Sequence, residues 1–324
     1  MTAQSSSDSS QNALFIERVC APYLRGAQND DGGWGFQRGS QSRVEPTAWA
    51  LLALLETAMD DAADDAAACS LQYLLKAQLG DGSWPAAAGQ NKGCWVTSLA
   101  CLALLSQAQF RESLTRGICW LSDERPGEAG RWFRLLRRLR GVRHTVAQND
   151  FYYGWSWTSG TASWVEPTAL ALIAMRNSPP ELLPAQVQSR IQLAEAMLYD
   201  RMSPGGGWNC GNPLVYGVPG EPQVCQTSWA LLALRDHSER PEVEKSLAWL
   251  EANWGRIESP GTLALAHIAL DFFGRNNADV RYSLCSFFEK NEILWNIPAV
   301  SLTILAISEK HEWLNRSDSA RRAD

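Results

Sequence analysis

Two stretches of the chain match without a gap, fifty residues apart: Tyr23-LRGAQNDDGG-Trp34 and Tyr73-LLKAQLGDGS-Trp84. Both read aromatic-Leu-x3-Gln-x3-Gly-x-Trp. A third copy, Met197-LYDRMSPGGG-Trp208, keeps the Leu, Gly and Trp but carries Met202 at the Gln position. A repeated unit cannot bury its apolar face alone and must stack on its neighbours, so the repeat dictates the architecture before any other feature does. The spacing also has a mechanical meaning. Gln at a helix C-terminus can bond exposed backbone groups, Gly permits the turn, and Trp caps the next helix. With 15 tryptophans against seven tyrosines, the chain uses indole systematically.

After each copy comes a loop and then an apolar segment: 44–56, 95–107, 164–175 and 224–235, with looser copies at 261–273 and 298–309. Between them lie amphipathic segments at roughly 11–27, 62–78, 111–122, 182–200, 239–253 and 277–289. Their apolar residues recur at helical spacing, as in Val187, Ile191, Ala194 and Leu198. A helix apolar all round must be buried on every side, whereas an amphipathic one can face water. Six inner helices ringed by six outer ones satisfy both demands. The expected fold is therefore all-α, an α6/α6 toroid of six helix pairs. Twelve helices use up residues 11–314 as one domain and leave 1–10 and 315–324 as tails.

At 45 % hydrophobic residues the chain can fill such a core, and the net charge of −6 gives no global attraction to nucleic acid or anionic lipid. No run approaches the ~20 apolar residues of a membrane span. The first residues show no secretory pattern, and the eight cysteines are scattered, as suits reduced thiols in a cytoplasm.

The two intact copies resemble the QW repeat of squalene–hopene and oxidosqualene cyclases. The helix pairing also looks like that of protein prenyltransferase β-subunits. The resemblance runs over about residues 11–310 and suggests a single-domain, bacterial-type member. In bacterial squalene cyclases the proton donor sits in Asp-x-Asp-Asp-Thr-Ala at the start of an inner helix. Trp164-Val-Glu-Pro-Thr-Ala169 falls on that motif and puts Glu166 at the acid position, while Arg43-Val-Glu-Pro-Thr-Ala48 puts Glu45 there in the first unit. The flanking aspartates that help raise the acid's pKa are absent, and a helix N-terminus favours the ionised carboxylate. Glu-Pro-Thr is also a good helix start in its own right, and a single acid site needs only one of the two glutamates.

The resemblance implies proton-initiated, class II-type cyclisation of a prenyl substrate in a central cavity. Trp49, Trp95, Tyr153, Trp155, Trp157, Trp164, Trp208, Asn209 and Trp229 are its candidate lining. Aromatic faces stabilise passing carbocations by roughly 0.5–2 kcal/mol each. The alternatives are a prenyltransferase-like chain acting with a protein partner, and a toroid that binds a lipid or protein without catalysis. In the prenyltransferase alignment Cys225 falls on a zinc ligand, but Gln223 and Gly261 occupy the other two positions and His267 lies two turns too deep. The Asp60-Asp61-Ala-Ala-Asp64 run spells a magnesium-binding motif, yet it sits between helices among alanines. Neither magnesium nor zinc is therefore expected as a cofactor. Arg131, Arg134 and Arg138 share one helical face in the longest gap between repeats. That face suits a diphosphate, a partner contact or plain solvation.

Overall fold

A computed structural model of the chain describes residues 13–57, 65–139, 148–257, 259–275, 278–290, 295–308 and 310–314, without the side chains of 134, 137, 138 and 288–290. The expected tails and the Asp60–Asp64 run lie outside these residues.

Six apolar helices form the inner ring: α2 (Val44–Thr57), α4 (Val96–Leu104), α7 (Val165–Asn177), α9 (Val224–Ala233), α11 (Pro260–Phe272) and α13 (Ile297–Ile307). Each packs on the next, and α13 packs on α2, so the circle closes. The outer helices are α1 (Ala21–Gly26, preceded by the π-helical turn Ile16–Cys20), α3 (Asp65–Ala77), α5 (Arg111–Asp123), α8 (Val187–Asp200), α10 (Pro241–Asn253) and α12 (Ala278–Lys290). The two layers differ as their sequences require. Every residue of α4 is buried, whereas α8 buries one stripe that contains Val187, Ile191, Ala194 and Leu198. Small hydroxyls enter the inner layer by bonding their own helix, as Ser228 does to the Val224 carbonyl at 2.8 Å.

The repeat motif is the joint between layers. Each Trp indole donates to an outer-helix carbonyl: Trp34 to Leu24 (2.8 Å), Trp84 to Leu74 (2.7 Å) and Trp208 to Leu198 (2.7 Å). The same residues' backbone N–H groups donate to Thr47, Thr97 and Thr227 in the first turn of the inner helix that follows. The glutamines reach further than their own helix end. Gln28 donates to Gly32 and to Ala66 on the next outer helix, and Gln78 to Gly82 and Ser113. Where Met202 replaces Gln, the next outer helix reaches back instead, with the Ser246 hydroxyl accepting from the Gly207 N–H at 2.9 Å.

Twelve helices do not exhaust the chain. A thirteenth, α6 (Arg131–Leu139), sits in the long connection between α5 and α7, and Leu214–Val215 pairs with Val218–Pro219 in a short hairpin.

Candidate active site

By the alternation of the layers, all six inner helices start at one end of the ring. Glu45, Glu166, Cys225, Gly261 and Pro298 are each the second residue of their inner helix, and Trp95, the N-cap of α4, takes the equivalent place in its repeat. All six retain partial exposure. One turn deeper, on the same helix faces, stand Trp49, Leu99, Leu170, Trp229, Leu265 and Leu302, none more than 6 % exposed. The opening therefore closes within about one helical turn, roughly 5 Å. It is a shallow cup on the ring axis.

Its floor is aromatic. Trp49 on α2 stacks on Trp229 of α9, which stands on the opposite side of the ring, with centroids 5.9 Å apart at 29°. Trp313 packs edge-on against both. The chain end that carries Trp313 crosses the far side of the ring. There Lys310 donates to the Glu56 carbonyl, His311 pairs with Asp271 at 2.8 Å, and the Trp313 carbonyl accepts from Asn177 at 2.9 Å.

Glu45 and Glu166 both belong to the cup. Burial pushes each carboxyl from an ordinary 4.5 up to about 7, and at Glu45 the charge of Glu166 adds to the rise. Burial thus outweighs the pull of the helix N-terminus that the sequence suggested would keep Glu166 ionised. At Glu166 burial alone supplies the rise. The Gln226 amide donates to Oε2 of Glu166 at 3.3 Å. Cys225 stands beside them with its thiol pushed up by burial and by Glu166. Among the described residues no three His, Cys, Asp or Glu side chains gather as a metal site, and His267 is buried deeper along α11.

The candidate aromatics divide into three groups. Trp95, Trp157 and Trp164 belong to the rim: Trp95 and Trp157 meet edge-to-face at 4.9 Å, and Trp164 is the N-cap of the helix that bears Glu166. Trp49 and Trp229 are floor. Trp155 and Trp208 are buried joints away from the axis. Trp155 donates to the Leu121 carbonyl and to Thr168 as the other repeat tryptophans do, across a connection of 34 residues. Tyr153 lies against the Arg190 guanidinium at 4.9 Å, and Asn209 holds its own loop by accepting from the Gly211 and Asn212 N–H groups.

Sequence reasoning missed the buried charges behind the rim. Arg190, 2 % exposed, lies 3.7 Å over the Trp155 ring, and burial pulls its guanidinium down to about 9. Arg201 pairs with Glu128 at 3.3 Å, both almost fully buried, and together they clamp Ser163 just ahead of Trp164. In sequence these were two arginines, Arg190 on a polar-faced helix and Arg201 just past its end, and one acid in a long connection, with no signal that they meet.

The architecture defines the class: a ring of α/α pairs, shared by proteins of different chemistry. No family profile and no curated protein sequence matches the chain. Among solved structures it is similar to a variant of the type II terpene cyclase MstE from Scytonema bound to its product, merosterolic acid A. The TM-score is 0.58 at 11 % identity, covering 97 % of this chain and 100 % of that one. A second MstE variant, bound to its substrate geranylgeranyl dihydroxybenzoate, gives a TM-score of 0.58 at 14 % identity over 95 % and 99 % of the two chains. A protein described as a novel alpha-amylase from Clostridium perfringens follows, at 0.56 and 9 % identity over 91 % and 97 %. At such identities the likeness establishes the fold, which different chemistries share.

Proposed function

We propose that the cup is the acid site of a class II-type terpene cyclase acting on a prenyl compound. The observation that carries the reading is the convergence of two carboxyls, both raised to about 7, on one ring mouth. An acid that protonates an alkene must be neutral at working pH yet poised to lose its proton. With Gln226 donating to Oε2, the proton of Glu166 resides on Oε1. Its transfer forms a C–H bond at the end of the prenyl chain, leaves a carboxylate, and creates a carbocation that an internal double bond attacks to close the ring. The cyclised cation then loses a proton to solvent at the open mouth, and the Glu166 carboxylate takes one back from solvent, which restores the balance. Glu45 shares the mouth as a second raised carboxyl, its own rise increased by the charge of Glu166. The π faces of Trp95, Trp157 and Trp164 stabilise the cation by roughly 0.5–2 kcal/mol each. The shallow cup admits one end of a substrate and leaves the rest over the rim. The prenylated substrate of MstE has the chemistry this reading requires.

The indole floor favours a second reading, a toroid that binds a lipid or a protein without converting anything, since it fills the axis where a long chain would otherwise lie. Incubation with farnesyl, geranylgeranyl, prenyl-aromatic and squalene substrates separates the two. The cyclase reading expects cyclised product, a loss of about 10²–10⁴-fold in turnover for Glu166→Gln, and an alkaline limb near pH 7 that Glu45→Gln leaves in place, because burial alone raises Glu166. Undiminished turnover in Glu166→Gln rejects its role as acid. Absence of product from every substrate supports the binding toroid.

A further inference from the structure

Helix α6 is amphipathic, and its apolar side faces outward. Trp132, Leu135, Leu136 and Leu139 follow the i, i+3, i+4, i+7 register of one face. Arg131, Arg134 and Arg138 occupy the i, i+3, i+7 positions of the other side. In a helix that belonged to the core the first face would be hidden. Here Trp132 is 71 % exposed and Leu139 73 %, with Phe133 at 46 % beside them.

Helix α6 follows directly on the short turn Gly127–Ala129 and packs on it, and Glu128 of that turn is clamped to Ser163 and Arg201. Its surroundings share its character. Among the described residues all the well-exposed large apolar side chains except Leu14 and Tyr282 lie in the connections at the mouth end of the ring, Phe151 and Tyr216 included.

We infer that α6 seats the mouth of the ring on the surface of an anionic phospholipid bilayer. A helix with Trp, Phe and Leu on one side and arginines on the other suits the headgroup boundary. There indole and leucine enter the acyl edge while guanidinium groups meet lipid phosphates. Each arginine near an anionic surface adds to the attraction. A chain with net charge −6 would otherwise be repelled from such a surface, so the local run of arginines sets which side lands. No described helix is long and apolar enough to cross a membrane, so the contact is with the interface. The inference does not depend on the chemistry of Glu166. It would hold for a binding toroid equally.

The test is co-sedimentation of the full chain with vesicles of phosphatidylcholine, alone or with phosphatidylglycerol. The wild type and Glu166→Gln are expected to sediment with the phosphatidylglycerol vesicles. Trp132→Ser combined with Leu139→Ser is expected to weaken partitioning by about tenfold or more, and Arg131→Glu combined with Arg138→Glu to abolish the preference for the anionic lipid. Thermal melts of the Trp132→Ser, Leu139→Ser double variant should match the wild type, because both side chains touch solvent; a large fall in Tm would mean the face is already covered and would reject the inference. So would a wild-type chain that stays in solution with both vesicles, binding that neither double variant weakens, or a dimer that Trp132→Ser separates, which would assign the face to a second copy.

Discussion

Two carboxyls that resist ionisation make the native chain a proton sink. Between the ordinary value of 4.5 and about 7, the folded protein keeps protons at Glu45 and Glu166 that an unfolded chain would release. Their contribution is complete below 4.5 and is lost as pH rises through 7. Replacing Glu166 by Gln removes the ionisation while keeping the shape. Above that window it should raise stability by on the order of 2 kcal/mol, less than the bare shift implies because the open edge of the carboxyl keeps some water. Below the window it should change little. Thermal melts of the two proteins across pH check this, and parallel curves would show that Glu166 ionises as freely as it would in water.

At the scale of the element, the joint between helix pairs rests on glycines that no other residue can replace. Gly82 has φ +92°, and a Cβ there would lie 2.6 Å from the Arg116 carbonyl oxygen on the next outer helix. Gly89 has φ +80° but open space around it. Gly82→Ala should therefore cost about 3 kcal/mol or more, the sum of left-handed strain and backbone overlap, and Gly89→Ala only about 1–2 kcal/mol. Equal costs by denaturant unfolding would refute the role given to the motif. This joint was legible in the sequence wherever Leu and Trp stand ten residues apart, as at Leu24 and Trp34. It was illegible at Trp155, because α6 and its flanks separate that residue from Leu121. Glu166 and Glu45 could be picked out by their shared Glu-Pro-Thr-Ala context. Their convergence could not, since it depends on how six helices share one axis, and neither helix carries a record of its partner across the ring. For the same reason Trp49 and Trp229 read as cavity lining, whereas closure of the circle presses them together.

For the molecule as a whole, the circle is sealed twice: at the flank, where α13 meets α2, and along the axis, where Trp313 completes the floor. The flank is pinned by the Tyr23 hydroxyl on the Trp295 carbonyl at 2.7 Å and by the Ile297 N–H on the Phe36 carbonyl at 2.9 Å. Trp313→Ala should cost about 3–5 kcal/mol, as large aromatic deletions in a packed core do. It should also open a void beneath Trp49 and Trp229 that small apolar molecules can occupy. A melt within error of the wild type would mean that the floor stands without Trp313.

The seal at the flank has a consequence in time. The last inner helix begins 253 residues after the first, at Ile297 against Val44, which at ordinary translation speeds is roughly 10–50 s of synthesis. Throughout that interval a newborn α2 waits with one oily flank unmatched, its partner not yet made. Closure of the circle is therefore the last step of its making, and every delay before Ile297 lengthens the time that flank stays open.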